Sequence, residues 1–230
     1  MTIVSAEALL FDLDGVLVNS IPAVERVWSR WAEERGFNVQ EVLHRAHGRP
    51  SIETLRYLLP DADHEAENRL VEQAEIEDVE GIIPLPGVKE LLAVLPHDRW
   101  AIVTSCTRPL AEVRVRAAGL PTPGLFITSN DITHGKPHPE PYLKGAAGLG
   151  FAPEQCIVVE DALAGIASGR NAGARVIAFT TTAPIADLVA AKPDWILKDC
   201  SAIRLDREPA AAAVGSGMRL TLEEVTVSAR

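Results

Sequence analysis

Two aspartates, Asp12 and Asp14, follow the apolar run Ala8–Phe11. The run is long enough to begin a buried strand of a parallel sheet. Alternation along an extended chain places both carboxylates on one side, where they repel unless a cation or a shared proton relieves them. An ionised aspartate can attack phosphorus, and a neighbouring carboxyl group can protonate a departing oxygen and later deprotonate water. Asp-Gly is also an ordinary turn after a strand, so the pair needs support elsewhere in the chain.

Candidate phosphate-binding groups occur at two later places. Ser105 and Cys106 follow the apolar run Trp100–Val103, where hydroxyl and backbone N–H groups could receive phosphate oxygens or simply cap a helix. Lys136 lies between a glycine and a proline. A backbone preset in this way reduces the entropy that a lysine loses when it binds a phosphoryl group.

A second acidic pair, Glu160 and Asp161, follows the apolar run 156–159. Adjacent carboxylates can cap a helix and favour its positive end. At the same sheet edge as Asp12 and Asp14, they would instead complete an oxygen cage for magnesium (Mg2+), which prefers hard oxygen ligands.

The elements that must position these groups alternate between strand and helix. Period-two and continuous apolar runs predict six core strands at 8–11, 100–103, 125–128, 156–159, 175–179 and 195–197. Helical periodicity predicts five intervening core helices at 88–95, 110–118, 141–149, 162–172 and 185–190. This order is typical of an α/β fold with a doubly wound, Rossmann-like parallel sheet.

A long helical insertion interrupts this alternation. Residues 21–33, 39–47, 51–59 and 64–79 all show helical patterns, and no strand pattern separates them. We therefore expect a core of residues 1–19 and 82–205 and an all-helical cap of residues 20–81. Residues 206–230 form a C-terminal tail, either disordered or paired as an edge hairpin with residues 202–205.

Two arginines are candidates for contact with the non-reacting end of a substrate. Arg49 lies with His47 and Gly48 in a loop between two cap helices, and Arg108 follows the second core strand. A helix stop with a solvated arginine is the simpler interpretation of the cap loop when it is taken alone.

Composition excludes several classes of function. The chain has 230 residues and a formal net charge of −10, which opposes general binding to nucleic acid or to acidic membranes. No apolar run approaches the ~18 residues of a membrane span, and no secretory signal is evident, so we expect a cytoplasmic protein. The three cysteines, which are far apart, fit reduced thiols better than a disulfide scaffold.

Four stretches taken together resemble the motifs of the haloacid dehalogenase-like hydrolases, in the group that has a helical cap inserted after the first motif. The stretches are residues 11–15 (Phe-Asp-Leu-Asp-Gly), the strand that ends in Ser105, residues 135–137 (Gly-Lys-Pro) and residues 160–161 (Glu-Asp). They occur in the family's order, and the resemblance covers nearly all of residues 5–205.

The resemblance implies roles for each stretch. Asp12 would be the nucleophile and Asp14 the general acid/base. Ser105 and Lys136 would hold the phosphoryl group, with Cys106 in the phosphate loop where glycine or alanine is common. Asp161 would bind Mg2+ together with Asp12 and the backbone carbonyl of Asp14. Glu160 would support or join the metal ligands.

Within the family, the chain most resembles phosphatases of small sugar, sugar-alcohol and polyol phosphates, so the expected partner is such a substrate and the expected assembly a monomer or weak homodimer. A mutase of the β-phosphoglucomutase type is an alternative, but Val24 stands where those mutases carry a cap histidine. A phosphate-sensing protein without catalysis is a second alternative. Retention of both Asp12 and Asp14 argues against it.

Overall fold

The computed structural model describes residues 1–46, 51–206 and 217–226. Its strands, in chain order, are β1 (Thr2–Ala6), β2 (Ala8–Phe11), β3 (Val18–Asn19), β4 (Ile83–Pro84), β5 (Trp100–Val103), β6 (Phe126–Ile127), β7 (Cys156–Glu160), β8 (Arg175–Phe179), β9 (Trp195–Leu197), β10 (Ile203–Leu205) and β11 (Met218–Leu222).

Helices fill most of the segments between these strands. In chain order they are α1 (Ile21–Arg35), α2 (Val39–Ala46), α3 (Ser51–Leu58), α4 (His64–Glu77), α5 (Val88–Val94), α6 (Arg108–Ala117), α7 (Glu140–Gly148), α8 (Leu163–Asn171) and α9 (Ile185–Ala191). Each agrees with a predicted helix to within about two residues at either end, which is the usual uncertainty of helix boundaries.

The central sheet is parallel and has the strand order β6-β5-β2-β7-β8-β9. The predicted α/β fold class is confirmed. Strand β2 lies between β5 and β7, with Phe11 beside Ile102 on one side and beside Val159 on the other. The polar residues that follow these three strands therefore emerge at neighbouring points on one edge of the sheet.

Alternating side chains cover the two faces of the sheet with separate hydrophobic clusters. Leu9 and Phe11 belong to one cluster, whereas Ala8 and Leu10 belong to the other. All four residues of β2 are fully buried, which explains why this strand is a continuous apolar run instead of an alternating one.

The inserted helices α1 to α4 have a hydrophobic cluster of their own, centred on Trp28 and Trp31. The chain enters this region through β3 and leaves it through β4, and the two strands pair antiparallel. This short ribbon was not predicted, because two residues are too few to show a period. We propose that residues 20–81 form a separate cap on a core of residues 1–19 and 82–205.

A second sheet has the order β1-β11-β10 and is antiparallel. The tail strand β11 pairs with β10, and it also pairs with β1 along its whole length. Strand β1 was not predicted, because only Glu7 separates it from the apolar run of β2. The alanine-rich part of the tail, residues 207–216, lies outside the described residues.

Among the described residues, no helix combines the length and the apolar composition that crossing a membrane requires.

The tail strand should contribute to the stability of the core. Leu220 is fully buried in the same cluster as Phe11, so Leu220→Ala should lower the free energy of unfolding by about 2–5 kcal/mol. The matched control is Arg219→Ala, which removes a half-exposed side chain and a 3.4 Å ion pair with Asp206, and should cost less than about 1 kcal/mol. Urea unfolding measures both. Equal effects of the two substitutions would show that the tail does not belong to the cooperative fold.

Candidate active site

The predicted site residues meet at the carboxyl edge of the central sheet. Asp12 directly follows β2, and its backbone N–H donates to the carbonyl of Val159 on β7 at 3.0 Å. Glu160 is the last residue of β7, and Asp161 comes next. One ligand oxygen from each of these three carboxylates lies within 4.8 Å of the others.

Lys136 is the cation at the centre of this cluster. Its Nζ atom donates to Asp12 Oδ1 at 2.7 Å, to Glu160 Oε1 at 2.6 Å and to the carbonyl of Val103 at 3.0 Å. The side chain is only 7% exposed. Burial alone would lower the pKa of Lys136, but the charges of Asp12 and Glu160 raise it above its usual value, so the ammonium stays protonated.

One lysine does not neutralise this edge of the sheet. Burial raises the pKa of Asp12 to about 7, although the charge of Lys136 opposes the shift. Burial, followed by the charges of Glu160 and Asp12, raises the pKa of Asp161 well above its usual range. Both shifts mean that the ionised carboxylates need more positive charge than Lys136 supplies. The donor set of buried carboxylate oxygens fits a hard divalent cation.

Glu160 is held from several directions. Its Oε1 atom accepts from Lys136 and from the hydroxyl of Tyr142 at 2.7 Å, and its Oε2 atom accepts the backbone N–H groups of Asp161 and Ala162 at 3.1 and 3.3 Å. Because both oxygens already have partners, Glu160 is better placed to orient Lys136 than to bind a metal directly.

Asp14 belongs to a different set of contacts. Its Oδ1 atom accepts from the Ser20 hydroxyl at 2.6 Å, and its Oδ2 atom accepts from Arg114 at 2.7 Å and from the Cys106 thiol at 3.1 Å. Burial, followed by the charge of Asp14, raises the pKa of Cys106 well above its usual value. Cys106 is therefore a thiol that donates a hydrogen bond, and the hydrogen-bond partners of Asp14 differ from those of Asp12.

A cavity of about 380 Å³ opens above these groups, between the core and the helices of the insertion. The core side of its wall includes Asp12, Asp14 and the exposed Ser105, and the opposite side includes Trp28 and Glu72. A larger groove of about 800 Å³ between α1 and α4 contains none of the predicted site residues. The cavity between core and insertion is therefore the candidate substrate site.

Four residues were predicted to set substrate specificity, and the structure describes one of them, Arg108. His47, Gly48 and Arg49 lie outside the described residues. Arg108 does not line the cavity: its guanidinium donates to Asp131 Oδ2 at 3.0 Å and to the carbonyl of Phe126 at 3.2 Å. These contacts do not support the expectation that Arg108 faces a substrate, because the acidic Asp131 holds its guanidinium.

Several functional candidates were not found from the sequence. Tyr142 supports Glu160, and Thr182 donates to Asp161. Arg114 could have been found from the sequence, because it lies in the apolar stripe of α6 that includes Leu110 and Ala111. A charged residue at a buried helical position usually has a specific partner.

Comparisons with known proteins agree with this geometry. The profile of the family described as haloacid dehalogenase-like hydrolase matches residues 9–179. The chain is 44% identical over 208 residues to hexitol phosphatase A of Escherichia coli, covering 88% of this chain and 95% of that protein. It is 36% identical over 210 residues to glycerol-1-phosphate phosphohydrolase 2 of Saccharomyces cerevisiae, covering 86% and 84% respectively. A crystallised hydrolase from Pseudomonas syringae is similar with a TM-score of 0.74 and 26% identity, over 85% of this chain and 94% of that one.

Gly165 of α8 leaves the space that the side chain of Glu160 occupies. A Cβ atom at this position would lie 1.7 Å from Glu160 Oε1, so Gly165→Ala should displace the carboxylate that holds Lys136. The matched control is Gly169→Ala on the same helix, whose Cβ would have as its nearest neighbours side-chain carbon atoms of Val158 and Val176 at 3.0–3.1 Å.

Both alanine variants should lose about 1–3 kcal/mol of stability through overpacking. Only Gly165→Ala should weaken the binding of inorganic phosphate, by at least about tenfold, which corresponds to 1.4 kcal/mol. Calorimetry and urea unfolding measure the two quantities. Equal phosphate affinity in both variants would contradict the role assigned to Glu160.

Proposed function

Because the chain belongs to the haloacid dehalogenase-like hydrolases, we propose that it is a phosphoric monoester hydrolase acting on small sugar, sugar-alcohol or polyol phosphates. The observation that carries the proposal is the buried Lys136 between Asp12 and Glu160, directly below a cavity of about 380 Å³. This volume suits a small organic ligand. The names of the relatives, hexitol phosphatase and glycerol-1-phosphate phosphohydrolase, support the same class of substrate.

We assign the first half-reaction to Asp12. One carboxylate oxygen of Asp12 attacks phosphorus, the bond between phosphorus and the sugar oxygen breaks, and an aspartyl phosphate forms. Asp14 enters this step in its protonated form, donates that proton to the departing sugar oxygen and becomes ionised. The ammonium of Lys136 and the polar groups of Ser105 face the phosphoryl oxygens and offset their charge, whereas the thiol of Cys106 donates to Asp14.

The second half-reaction regenerates the enzyme. Asp14, now ionised, takes a proton from a water molecule, and that water attacks phosphorus. The bond between phosphorus and Asp12 breaks, which releases inorganic phosphate and restores both aspartates to their starting states. Asp14 needs no direct contact with Lys136 in either step, in keeping with its separate set of contacts.

We propose that Asp12 and Asp161, with the backbone carbonyl of Asp14, hold Mg2+. The buried carboxylates of Asp12 and Asp161 with raised pKa values fit such an ion, and phosphatases of this family generally use it. When bound, the ion offsets negative charge on the phosphoryl group and on Asp12. Gly15 leaves space here, because a Cβ atom at this position would lie 2.0 Å from Asp161 Oδ2.

Hydrolysis is favoured over a phosphosugar mutase reaction. Val24 lines the cavity at the position where the β-phosphoglucomutases carry a histidine, and an apolar side chain cannot transfer a proton. The cavity wall also offers Asn68 and Glu72, whose oxygens can accept hydrogen bonds from the hydroxyl groups of a polyol.

Phosphate release from hexitol and glycerol phosphates should require Mg2+. Treatment with EDTA should abolish turnover, and added Mg2+ should restore it. Binding of Mg2+ should weaken below pH 7, by about tenfold or more per pH unit, because burial raises the pKa of Asp12 to about 7 and the pKa of Asp161 well above its usual range, and both carboxyl groups must lose their protons to bind the ion. Calorimetry at several pH values measures the affinity. Full activity after rigorous metal removal, or no turnover of any phosphate ester, would refute the assignment.

The two aspartates should be separable by half-reaction. Asp12→Asn should eliminate the phosphoenzyme, because an amide is a poor nucleophile. Asp14→Asn should slow proton transfer by about 10²–10⁴-fold. An aryl phosphate has a leaving group that needs little protonation, so this variant should still form phosphoenzyme from it and give a burst followed by a low steady rate.

A sugar phosphate should give no burst with Asp14→Asn, because an alkoxide leaves poorly without a proton. Rapid-quench measurements with both substrates test the assignment. A burst that survives in Asp12→Asn, or equal impairment of both substrates in Asp14→Asn before phosphoenzyme forms, would contradict the division of roles.

A further inference from the structure

Arg114 is a buried cation that the reaction described above does not use. It projects from α6, and its side chain is 5% exposed. Its Nη1 atom donates to Asp14 Oδ2 at 2.7 Å and to Cys106 Sγ at 3.1 Å, and its Nη2 atom donates to Glu75 Oε2 at 2.8 Å. One guanidinium thus joins the proposed general acid/base to an acidic residue of helix α4.

Glu75 brings the cap into this arrangement. It lies on α4, within the inserted helices, and its side chain is 11% exposed. The other oxygen of Asp14 accepts from Ser20, the residue directly before α1. One oxygen of the Asp14 carboxylate is therefore held by the first residue of the cap, and the other is held by a core arginine that is itself paired with the cap helix α4.

Stability alone does not account for this buried triad. Removing three charged groups from water is costly, and apolar residues of similar volume often give equal or greater stability. The Arg114 Nε atom is also buried without a hydrogen-bond partner among the described residues, which adds a further cost. A position selected only for packing would favour an apolar residue in the stripe of α6.

We propose that Arg114 is a positioning residue for Asp14, and that its ion pair with Glu75 makes the position of the Asp14 carboxylate depend on the seating of the cap. The inference rests on the proposed function, because it concerns the proton transfer assigned to Asp14. A general acid must lie within hydrogen-bond reach of the leaving oxygen, and a misplacement of about 1 Å can cost about 10²-fold in rate.

The pairing has a consequence for substrate choice. Substrates with a poor leaving group depend on a correctly placed Asp14, whereas aryl phosphates do not. A substrate large enough to fill the cavity also contacts the cap helices and favours their seating on α6. The Arg114–Glu75 pair would thus favour proton transfer when a cap-filling substrate is bound.

The test compares phosphoenzyme formation from a hexitol phosphate and from an aryl phosphate in rapid-quench experiments. Arg114→Met should slow the reaction of the hexitol phosphate by about 10²-fold and change that of the aryl phosphate by less than about threefold. Glu75→Gln should give a smaller selective loss, about five- to tenfold. The controls are Arg116→Met on α6 and Glu77→Gln on α4, both exposed positions on the same helices, which should leave both rates unchanged.

A double substitution distinguishes positioning from a structural role. If Arg114 acts through Asp14, then adding Arg114→Met to Asp14→Asn should cost the hexitol phosphate reaction less than about threefold more, because coupled residues are not additive. Additive losses, or equal losses on both substrates, would overturn the proposal.

Folding failure of one variant does not leave the question open. Arg114→Met leaves the carboxylates of Asp14 and Glu75 facing each other, so urea unfolding is measured for every variant. If Arg114→Met does not fold, the Glu75→Gln variant tests the proposal. An unchanged ratio of its rates with the hexitol phosphate and the aryl phosphate overturns the proposal. Absence of wild-type turnover would remove the phosphatase assignment itself, whereas normal wild-type turnover with an unchanged ratio removes only the role of Arg114.

Discussion

The ammonium group of Lys136, buried between Asp12 and Glu160, is the interaction on which the rest of the active site depends. Carboxylates at the end of parallel strands cannot be buried as ions without nearby positive charge. Lys136 supplies one charge to Asp12 and Glu160, and the pKa of Asp12 remains raised to about 7. This remaining negative charge suits the edge of the sheet to a divalent cation, and the added positive charge of such a cation would then favour the transient binding of a phosphoryl group. Tyr142 and two backbone N–H groups complete the support by fixing Glu160.

Asp12 and Asp14 belong to one short motif, but their side chains have different surroundings. Asp12 faces Lys136, whereas Asp14 faces Ser20, Cys106 and Arg114. Separate surroundings are the usual way in which a pair of acids acquires distinct roles, and the proposed roles are nucleophile for Asp12 and proton donor and acceptor for Asp14. Through Ser20 and the Arg114–Glu75 pair, the contacts of Asp14 also extend to the inserted helices, so these helices help to hold the Asp14 carboxylate.

Much of the architecture was predictable from local patterns. Continuous apolar runs identified the six parallel strands, since strands buried on both faces need apolar residues at every position. Helical periodicity identified the nine helices found in the described residues. The order of the motifs then placed Asp12, Lys136 and Asp161 at strand ends or in loops on one edge of the sheet. Strand β1 and the β3–β4 ribbon escaped prediction, because they are too short or too close to another apolar run to show their own period.

The sequence by itself determined which groups are the candidates for the chemistry and the order in which they occur, because both follow from residue type and local periodicity. Only the tertiary structure decided which long side chains reach the site. Arg108 and Arg114 lie on one helix, but Arg108 pairs with Asp131 away from the cavity and Arg114 reaches Asp14 and Glu75. The rotation of α6 about its axis makes this choice, and that rotation is set by burial of its apolar stripe against the sheet. Contacts between residues 39 and 100 positions apart in the chain leave no local pattern from which they could be read.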